Sequence, residues 1–410
     1  MSSATTLPPP ADDAVEVTEF FDEPDTVAPA APRVDDSVGT MRPFPQPLRH
    51  PLRAAVWLVE AAFGIVSLIL LLAVVAAVPI VNFLALGYLL EVQGRVARSG
   101  KLRAAFPLLA QAPRLGAMAA GFWLWLLPLR VLADYTADAR LIDPSSTVTA
   151  GLNMALPIAA VLIGLHLCLA LARGGSLGCF FRPLRNVTWL IGQLRRGGYA
   201  ARAESAIREF LASLRLGHHF SLGFRGFIGA AAWLLLPTLL FAAAVRTAPV
   251  PILVSITGGL LLVLVFGWLP FLQARFAAEN RLRAFFDWRE IRVLIRRAPI
   301  AWLAALVVTY VLALPLYLSK IVLPPRDAVF LITPLFIASI YPAKVMIGWA
   351  YHRAANKPAR AWFGTRWIVR VLAFALVGAY VFLLFFTPYI SEHGRGVLFE
   401  HHAFLLPVPF

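Results

Sequence analysis

The sequence has little charge and almost no cysteine. Only 14% of its 410 residues are Asp, Glu, Lys or Arg, whereas soluble domains carry roughly 25%. Its two cysteines, Cys168 and Cys179, would lie about 16 Å apart on a continuous helix, which is too far for a disulfide. The sequence also lacks the P-loop, the His-Glu-x-x-His pair and zinc-type Cys/His spacing. These absences predict no disulfide framework, no cofactor and no metal site, and they favour a protein that is not an enzyme.

The basic residues that are present are unevenly distributed. The net charge is +15, which is typical of nucleic-acid-binding proteins and also of membrane proteins with basic cytoplasmic loops. All but six of the 37 Lys and Arg lie before residue 54 or within 91–114, 173–226, 273–299 and 344–370, on alternate sides of the apolar runs. This alternation predicts no nucleic-acid partner. It indicates a multi-pass protein of a bacterial-type inner membrane, with a cytoplasmic N-terminus and an external C-terminus.

Long apolar runs dominate the chain, 60% of which is Ala, Val, Ile, Leu, Met, Phe, Trp, Tyr or Cys. A membrane-spanning helix needs about 20 such residues. The fold class predicted is an all-α, polytopic transmembrane helical bundle, with about seven full spans plus a broken or re-entrant first hairpin. Its eight or nine apolar segments are 55–78, 79–92, 115–132, 150–172, 227–246, 250–273, 300–319, 328–349 and 367–387.

The domain organisation follows from these runs. Residues 1–45 are predicted to form a disordered, acidic, Pro-rich cytoplasmic tail, residues 46–387 the transmembrane domain, and residues 388–410 a short external tail. The transmembrane domain is divided into hairpins 55–92, 115–172, 227–273 and 300–349, and a last span 367–387. Pro79 and Asn82 break the first run, so 55–92 is either a hairpin or one kinked span with the tail outside. Arg42, Arg49 and Arg53 beside the membrane favour the hairpin.

Four segments repeat one pattern at the end of a span, and we call them elbows 1 to 4. They are Arg98–Phe106, Arg173–Phe181, Ala278–Phe286 and Ala354–Phe363. Each is expected to end its helix at a left-handed residue and to return to the interface through an aromatic anchor. Three of them also carry a basic residue that reaches lipid headgroups. The left-handed positions are Gly100, Gly175, Asn280 and Asn356, and the basic residues beside them are Lys101, Arg281 and Lys357.

Two basic amphipathic helices are predicted to follow elbows 2 and 3. In 199–216, Glu204 and Arg208 have the spacing of a helical ion pair. In 288–298, Asp287 and Glu290 have the spacing of a capping box. Such helices lie in the membrane plane and favour anionic lipid. Membrane lipids, anionic ones included, are therefore the expected partners, although the helices would serve equally well as anchors without lipid selectivity.

Two blocks resemble a bacterial family of uncharacterised multi-pass membrane proteins, defined as a domain of unknown function. One block is residues 79–88, PIVNFLALGY, followed by a basic helix that ends at Gly100. The other is residues 274–290, ARFAAENRLRAFFDWRE. The resemblance implies a helical membrane fold and implies no reaction or substrate.

A few polar residues at membrane depth are candidates for function. His166 lies within a span, where an ionisable group indicates a proton relay or a polar ligand site; the alternative is a neutral histidine bonded to a neighbouring helix. Asn82 marks the break in the first hairpin. Asp134 and Asp138, one helical turn apart at an outer end, are a candidate cation site together with His393, His401 or His402; the alternative is a pair of solvated acidic residues. The pair His218–His219 is expected to be solvated at the interface.

Three functions remain open from the sequence. The first is a permease-like or lipid-handling role that uses the broken hairpin and proline-kinked helices. The second is a membrane scaffold that recruits partners or anionic lipid through its basic interfacial helices. The third is an intramembrane enzyme that uses His166 with outer aspartates. A polar cavity that reaches His166 or Asn82 would favour the first, whereas a confined pocket uniting His with Asp would favour the third.

Overall fold

The computed structural model describes residues 50–245, 249–321, 331–390, 394–401 and 403–407, and within them it is all-α, as predicted. The tail 1–45, His393 and His402 lie outside the described residues. The helices are α1 Pro51–Ala77, α2 Asn82–Ser99, α3 Ala112–Ile142, α4 Thr147–Ala172, α5 Leu177–Phe180, α6 Pro183–Arg195, α7 Tyr199–Leu214, α8 Leu216–Phe241, α9 Pro249–Glu279, α10 Trp288–Arg297, α11 Pro299–Ile321, α12 Ile332–Ala355 and α13 Phe363–Ile390.

Eight helical segments of the described chain are long and apolar enough to cross a membrane. They are α1, α3, α4, the consecutive α7 and α8, α9, α11, α12 and α13. This number agrees with the seven full spans plus a first hairpin expected from the sequence. The helix α2 is not among them, because it carries Glu91, Arg95 and Arg98. The two cysteines are free, as expected.

The first apolar run is broken at residues 78–81, between α1 and α2. The turn is exposed, and Ile80 has a positive φ of 69° that a β-branched residue rarely adopts. Pro79 cannot donate a backbone hydrogen bond at this point. The helices α1 and α2 are in contact, and Leu72 and Tyr88 belong to one buried cluster. The break lies where the sequence predicted it, and the hairpin topology stays a prediction.

The helix α2 is the centre of the bundle. Every residue from Ala85 to Ala97 is buried, and the helix packs against α1, α8, α9 and α12. It crosses α8 at two glycines: a Cβ added at Gly87 would lie 1.7 Å from the carbonyl oxygen of His219, and one at Gly223 would lie 1.9 Å from that of Phe83. The backbones of α2 and α8 are therefore in direct contact, as in small-residue packing between membrane helices.

The left-handed ends of the elbows were predicted correctly at three of four positions. Gly100, Gly175 and Asn280 have φ values of 66°, 67° and 55°. The prediction was wrong at Asn356, which has φ −87° and right-handed geometry. There the side-chain amide donates to the carbonyl oxygen of His352 at 3.0 Å, so the helix end is capped without a left-handed residue.

The elbows share a hydrogen bond that the sequence reasoning missed. In elbows 1, 2 and 3 the carbonyl of the fifth residue after the Gly or Asn accepts from an aromatic side chain of another helix. Tyr341 donates to Ala105 at 2.6 Å, Trp125 to Phe180 at 2.9 Å and Trp233 to Phe285 at 2.9 Å. The glycine four residues before each tryptophan leaves room for the elbow phenylalanine ring. A Gly-x-x-x-Trp pattern in α3 and α8 was the available signal.

All four elbows lie at one end of the bundle, which we call the elbow end. Arg98 of elbow 1 donates to the carbonyl oxygens of Ala277 and Ala278, each at 3.2 Å, where elbow 3 begins. His352, just before elbow 4, donates to the carbonyl of Ala97 at 3.0 Å. Arg114, at the start of α3, donates to the carbonyl of Gly174 in elbow 2 at 2.9 Å.

The described residues after α13 are packed into the bundle, and the external position predicted for the short tail 388–410 stays a prediction. Residues 388–390 belong to α13. Val397, His401 and Phe404 are buried. The Phe404 ring stacks on Phe266 with centroids 5.6 Å apart, and its carbonyl accepts from Gln273 at 2.7 Å. Because its apolar residues are buried in the core, the described chain after α13 lies against the helices.

Candidate functional site: an arginine-rimmed cavity at the elbow end

His166 is bonded to an elbow. Its Nε2 donates to the carbonyl oxygen of Phe180 at 2.9 Å, and its ring centroid lies 4.5 Å from that of Trp125, which donates to the same oxygen. The Nδ1 atom is buried without a partner among the described residues. This geometry matches the alternative interpretation in its hydrogen bond, since the histidine is bonded to a neighbouring segment, here the elbow that follows α4.

The other polar candidates are not brought together. Asn82 is the buried first residue of α2, and its Oδ1 has no partner in the described chain. Asp134 and Asp138 are exposed on α3. His401, the one proposed imidazole partner that the structure describes, bonds instead to Thr238 at 3.0 Å. The described residues contain no group of three or more His, Cys, Asp and Glu arranged for a metal.

Residues 174–178 read Gly-Gly-Ser-Leu-Gly and match the spacing of a nucleophile elbow, a match that sequence reasoning overlooked. A functional nucleophile elbow follows a strand and places its serine beside a histidine base. Here Ser176 lies between α4 and α5, and its Oγ is 3.2 Å from the Sγ of Cys179. The Nε2 atom of His166 is hydrogen-bonded to the carbonyl of Phe180 and not to Ser176. The match belongs to elbow 2 and gives no catalytic geometry.

The prediction that His218 and His219 are solvated at the interface was wrong for His219. His219 is buried, and His218 lies 3.2 Å from Glu91 of α2. The same carboxylate accepts from Arg95 at 2.9 Å and lies 3.8 Å from Arg98. This buried ion cluster joins α2 to α8. The sequence suggested neither partner, because 127 residues separate Glu91 from His218.

A second buried polar group joins α2, α9, α12 and the C-terminal segment. Lys344, counted from the sequence as a loop charge, is 1% exposed and donates to Gln273 at 2.6 Å. Gln273 donates in turn to Phe404. On α2, Gln93 donates to the carbonyl of Pro270 at 3.1 Å. The centre of the bundle is filled by these contacts.

The cavity that stands out lies at the side of the bundle, between α9, α10, α11 and α13. It measures about 430 Å³, within the size range of small-ligand pockets. Two wall residues, Leu264 and Phe374, are 48% and 57% exposed, so the cavity opens on the outer surface of the bundle. The walls are largely apolar and include Val263, Leu264, Trp268, Trp302 and Phe374.

Arginines form the elbow-end rim of this cavity. Arg292 and Arg296 of α10 and Arg370 of α13 line it. Arg360 and Arg366 lie close enough to Arg296 to act on its charge, and together with the three lining residues they are called the five rim arginines. Partial desolvation, and then repulsion from these four guanidinium groups, lowers the pKa of Arg296 from its ordinary value. The rim is therefore a concentration of positive charge next to apolar walls.

The rim arginines differ from Arg275, which lies nearby on α9. Arg275 pairs with Glu279 at 3.0 Å, with Asp287 at 3.1 Å and with Glu290. Asp287 and Glu290 were predicted to form a capping box, and that prediction was wrong because Arg275 takes both carboxylates. Within the described part of the chain, none of the five rim arginines forms an ion pair with a carboxylate.

The basic residues beside the Gly or Asn of the elbows, and Arg208 of α7, lie apart from the rim. Lys101 and Lys357 are exposed. Arg281 pairs with Glu279 at 3.1 Å. The predicted pair of Arg208 with Glu204 is confirmed at 2.5 Å and is exposed. None of these four residues lines the cavity. They are placed for contact with headgroups or solvent.

The helical bundle indicates an integral, multi-pass membrane protein, since eight of its described helical segments are long and apolar enough to cross a membrane. Residues 184–324 match a family described as "Protein of unknown function (DUF4013)". This stretch contains the block 274–290 that carried the resemblance, whereas the block 79–88 lies outside it. No curated protein and no solved structure matches the chain. The match covers less than half of the chain, is consistent with the resemblance to an uncharacterised domain family and assigns no activity.

Proposed function

We propose that the protein is a lipid-handling membrane protein that binds an anionic lipid in the arginine-rimmed cavity and acts without catalysing a reaction. The observation that carries the proposal is an apolar cavity open on the outer surface of the bundle, with guanidinium groups at one end that form no ion pair within the described residues. An anionic lipid complements this cavity, because its hydrocarbon chain would contact the apolar walls and its headgroup would contact the basic rim. Arginine forks bind phosphate through two parallel hydrogen bonds.

Lipid handling is favoured over a permease-like path through the bundle. The sequence suggested that the broken first hairpin would line such a path. Instead, the centre of the bundle is occupied by α2, where Leu89, Leu90, Val92 and Gln93 are fully buried. The cavity is lateral, so its ligand would enter from the membrane and not from water. Its lining residues include no carboxylate, serine or histidine that would supply acid–base or nucleophilic chemistry.

The binding proposal predicts a charge-specific loss in the double variant Arg296→Gln, Arg370→Gln. Each charge-assisted hydrogen bond contributes about 1.5–3 kcal/mol, so the affinity for phosphatidylglycerol is expected to fall at least tenfold. Native mass spectrometry of the full chain, titrated with phosphatidylglycerol in detergent, measures this affinity. Phosphatidylcholine with the same acyl chains is expected to bind weakly to both proteins.

The matched control is Arg103→Gln, Arg185→Gln, which removes the same charge from exposed positions in elbow 1 and in α6. Its affinity for phosphatidylglycerol is expected to stay within about twofold of the original. An equal loss in both double variants would contradict the proposal, because the lipid would then be responding only to net positive charge.

We also propose that the elbow end faces the cytoplasm of a bacterial cell, with the N-terminus inside and the C-terminus outside. The support is the concentration of Lys and Arg at that end. Single cysteines introduced at Asp138 and at Arg208 should be labelled from opposite sides by a membrane-impermeant maleimide in intact cells. Asp138 is expected to react and Arg208 to be protected. Labelling of both positions in intact cells would refute this orientation.

A further inference from the structure

The five rim arginines come from three separate segments. Arg292 and Arg296 are one turn apart on α10, and Arg366 and Arg370 are one turn apart on α13, so each pair shares a helix face. Arg360 lies on elbow 4. The backbone N–H of the next residue, Ala361, donates to the carbonyl oxygen of Arg296 at 3.0 Å, which holds this part of elbow 4 against α10.

The charge of this cluster exceeds what one singly charged headgroup would neutralise. Like charges one turn apart destabilise a helix by about 0.2–0.5 kcal/mol for each pair. The acid of α10, Glu290, is bound to Arg275. The Nε atom of Arg366 is buried without a hydrogen-bond partner in the described chain. A phosphodiester lipid brings one negative charge, whereas a phosphomonoester carries about −1.5 to −2 at neutral pH.

From this excess we infer that the cavity selects its ligand by headgroup charge and prefers a lipid whose headgroup is a terminal phosphomonoester or a diphosphate over a phosphodiester lipid. The inference rests on the proposed function and names the substrate class of the same cavity. A terminal phosphate also offers three oxygens, so two or three guanidinium forks bind it at once. The apolar walls formed by Trp268 and Trp302 hold its hydrocarbon chain, which separates this ligand from a free phosphate ion.

The test compares phosphatidic acid with phosphatidylglycerol of identical acyl chains, titrated into the full chain in detergent at pH 8. Phosphatidic acid is expected to bind at least tenfold more tightly. At pH 5 the monoester carries about one charge, since its second pKa is about 6, and the preference is expected to disappear. Arginine remains protonated at both pH values, so this change would arise from the ligand.

Two further measurements identify what the cluster recognises. The variant Arg360→Gln, Arg366→Gln is expected to weaken the binding of phosphatidic acid at pH 8 more than the binding of phosphatidylglycerol, so that the preference is lost. Inorganic phosphate at millimolar concentration is expected not to compete. Equal affinity for the two lipids at pH 8, or full competition by inorganic phosphate, would overturn the inference. If phosphatidylglycerol binding still depended on Arg296 and Arg370, the proposed function would stand and only the charge selection would fail.

Discussion

Replacement of Gly87 by alanine is expected to prevent the bundle from assembling. The added Cβ would lie 1.7 Å from the carbonyl oxygen of His219 and 2.9 Å from the backbone nitrogen of Gly223. These neighbours are backbone atoms of α8, so no side-chain rotation relieves the overlap, and α2 and α8 must separate. Since overpacking costs about 1–3 kcal/mol even where side chains can shift, we expect a loss of about 3 kcal/mol or more in the free energy of unfolding.

The measurement is the yield of monodisperse protein in detergent and its thermal unfolding temperature. The matched control is Gly378→Ala on α13, where an added Cβ would meet nothing within 4 Å. Alanine also has the higher helix propensity, so this variant is expected to be as stable as the original or slightly more stable. Gly223→Ala is expected to behave like Gly87→Ala, because its Cβ would lie 1.9 Å from the carbonyl oxygen of Phe83. Normal yield and stability for Gly87→Ala would show that the helices do not cross here.

The second large effect is expected from Glu91→Gln. Glu91 is the carboxylate shared by Arg95, Arg98 and His218 at the centre of the bundle. Removal of one partner from a buried ion pair costs about 3–5 kcal/mol, because the remaining charge is no longer compensated. Thermal unfolding in detergent should show a marked decrease in stability, with α2 and α8 losing hydrogen-exchange protection first.

The chain provides a matched control for this variant. Glu204 pairs with Arg208 at the same i,i+4 spacing as Glu91 with Arg95, but both side chains are mostly exposed, at 69% and 77%. Exposed pairs contribute about 0–1 kcal/mol, so Glu204→Gln is expected to leave the unfolding temperature almost unchanged. Similar losses in the two variants would mean that Glu91 is solvated and that the buried cluster does not support α2. Partial recovery in Glu91→Gln, Arg95→Met would add support, since that change also removes a buried charge.

Local patterns in the sequence predicted the helical architecture well. Apolar run length predicts a span because lipid cannot satisfy a backbone that is not helical. The left-handed ends at Gly100, Gly175 and Asn280 followed from the conformational preferences of those residues. The prediction of a left-handed helix end was wrong at Asn356, because its side-chain amide donates to the nearby carbonyl of His352 instead. The prediction of a capping box at Asp287 and Glu290 was wrong, because both carboxylates pair with Arg275 of another helix.

The candidate site could not be predicted because it depends on contacts between distant segments. Arg292, Arg296 and Arg370 were visible as basic residues of two separate loops, and nothing in their spacing places α10 beside α13. Lys344 was counted as a loop charge. Its burial depends on a hydrogen bond to Gln273 of another helix, which the local sequence does not reveal. His166 was singled out for its depth, and its hydrogen bond to elbow 2 became apparent only from the packing. Hydropathy predicts which segments cross the membrane, but it does not predict which segments pack against one another.

The central position of α2 has a consequence for biosynthesis. The chain is made from its N-terminus, so α2 leaves the ribosome long before the helices that surround it. His218 follows Glu91 by 127 residues and Tyr341 follows Tyr88 by 253; at about 5–20 residues per second, the first interval alone lasts roughly ten seconds. During that time a helix with three charges would be costly in bare lipid. The contact of Glu91 with His218 forms only after α8 has been synthesised, so the packing around α2 is completed late in biosynthesis.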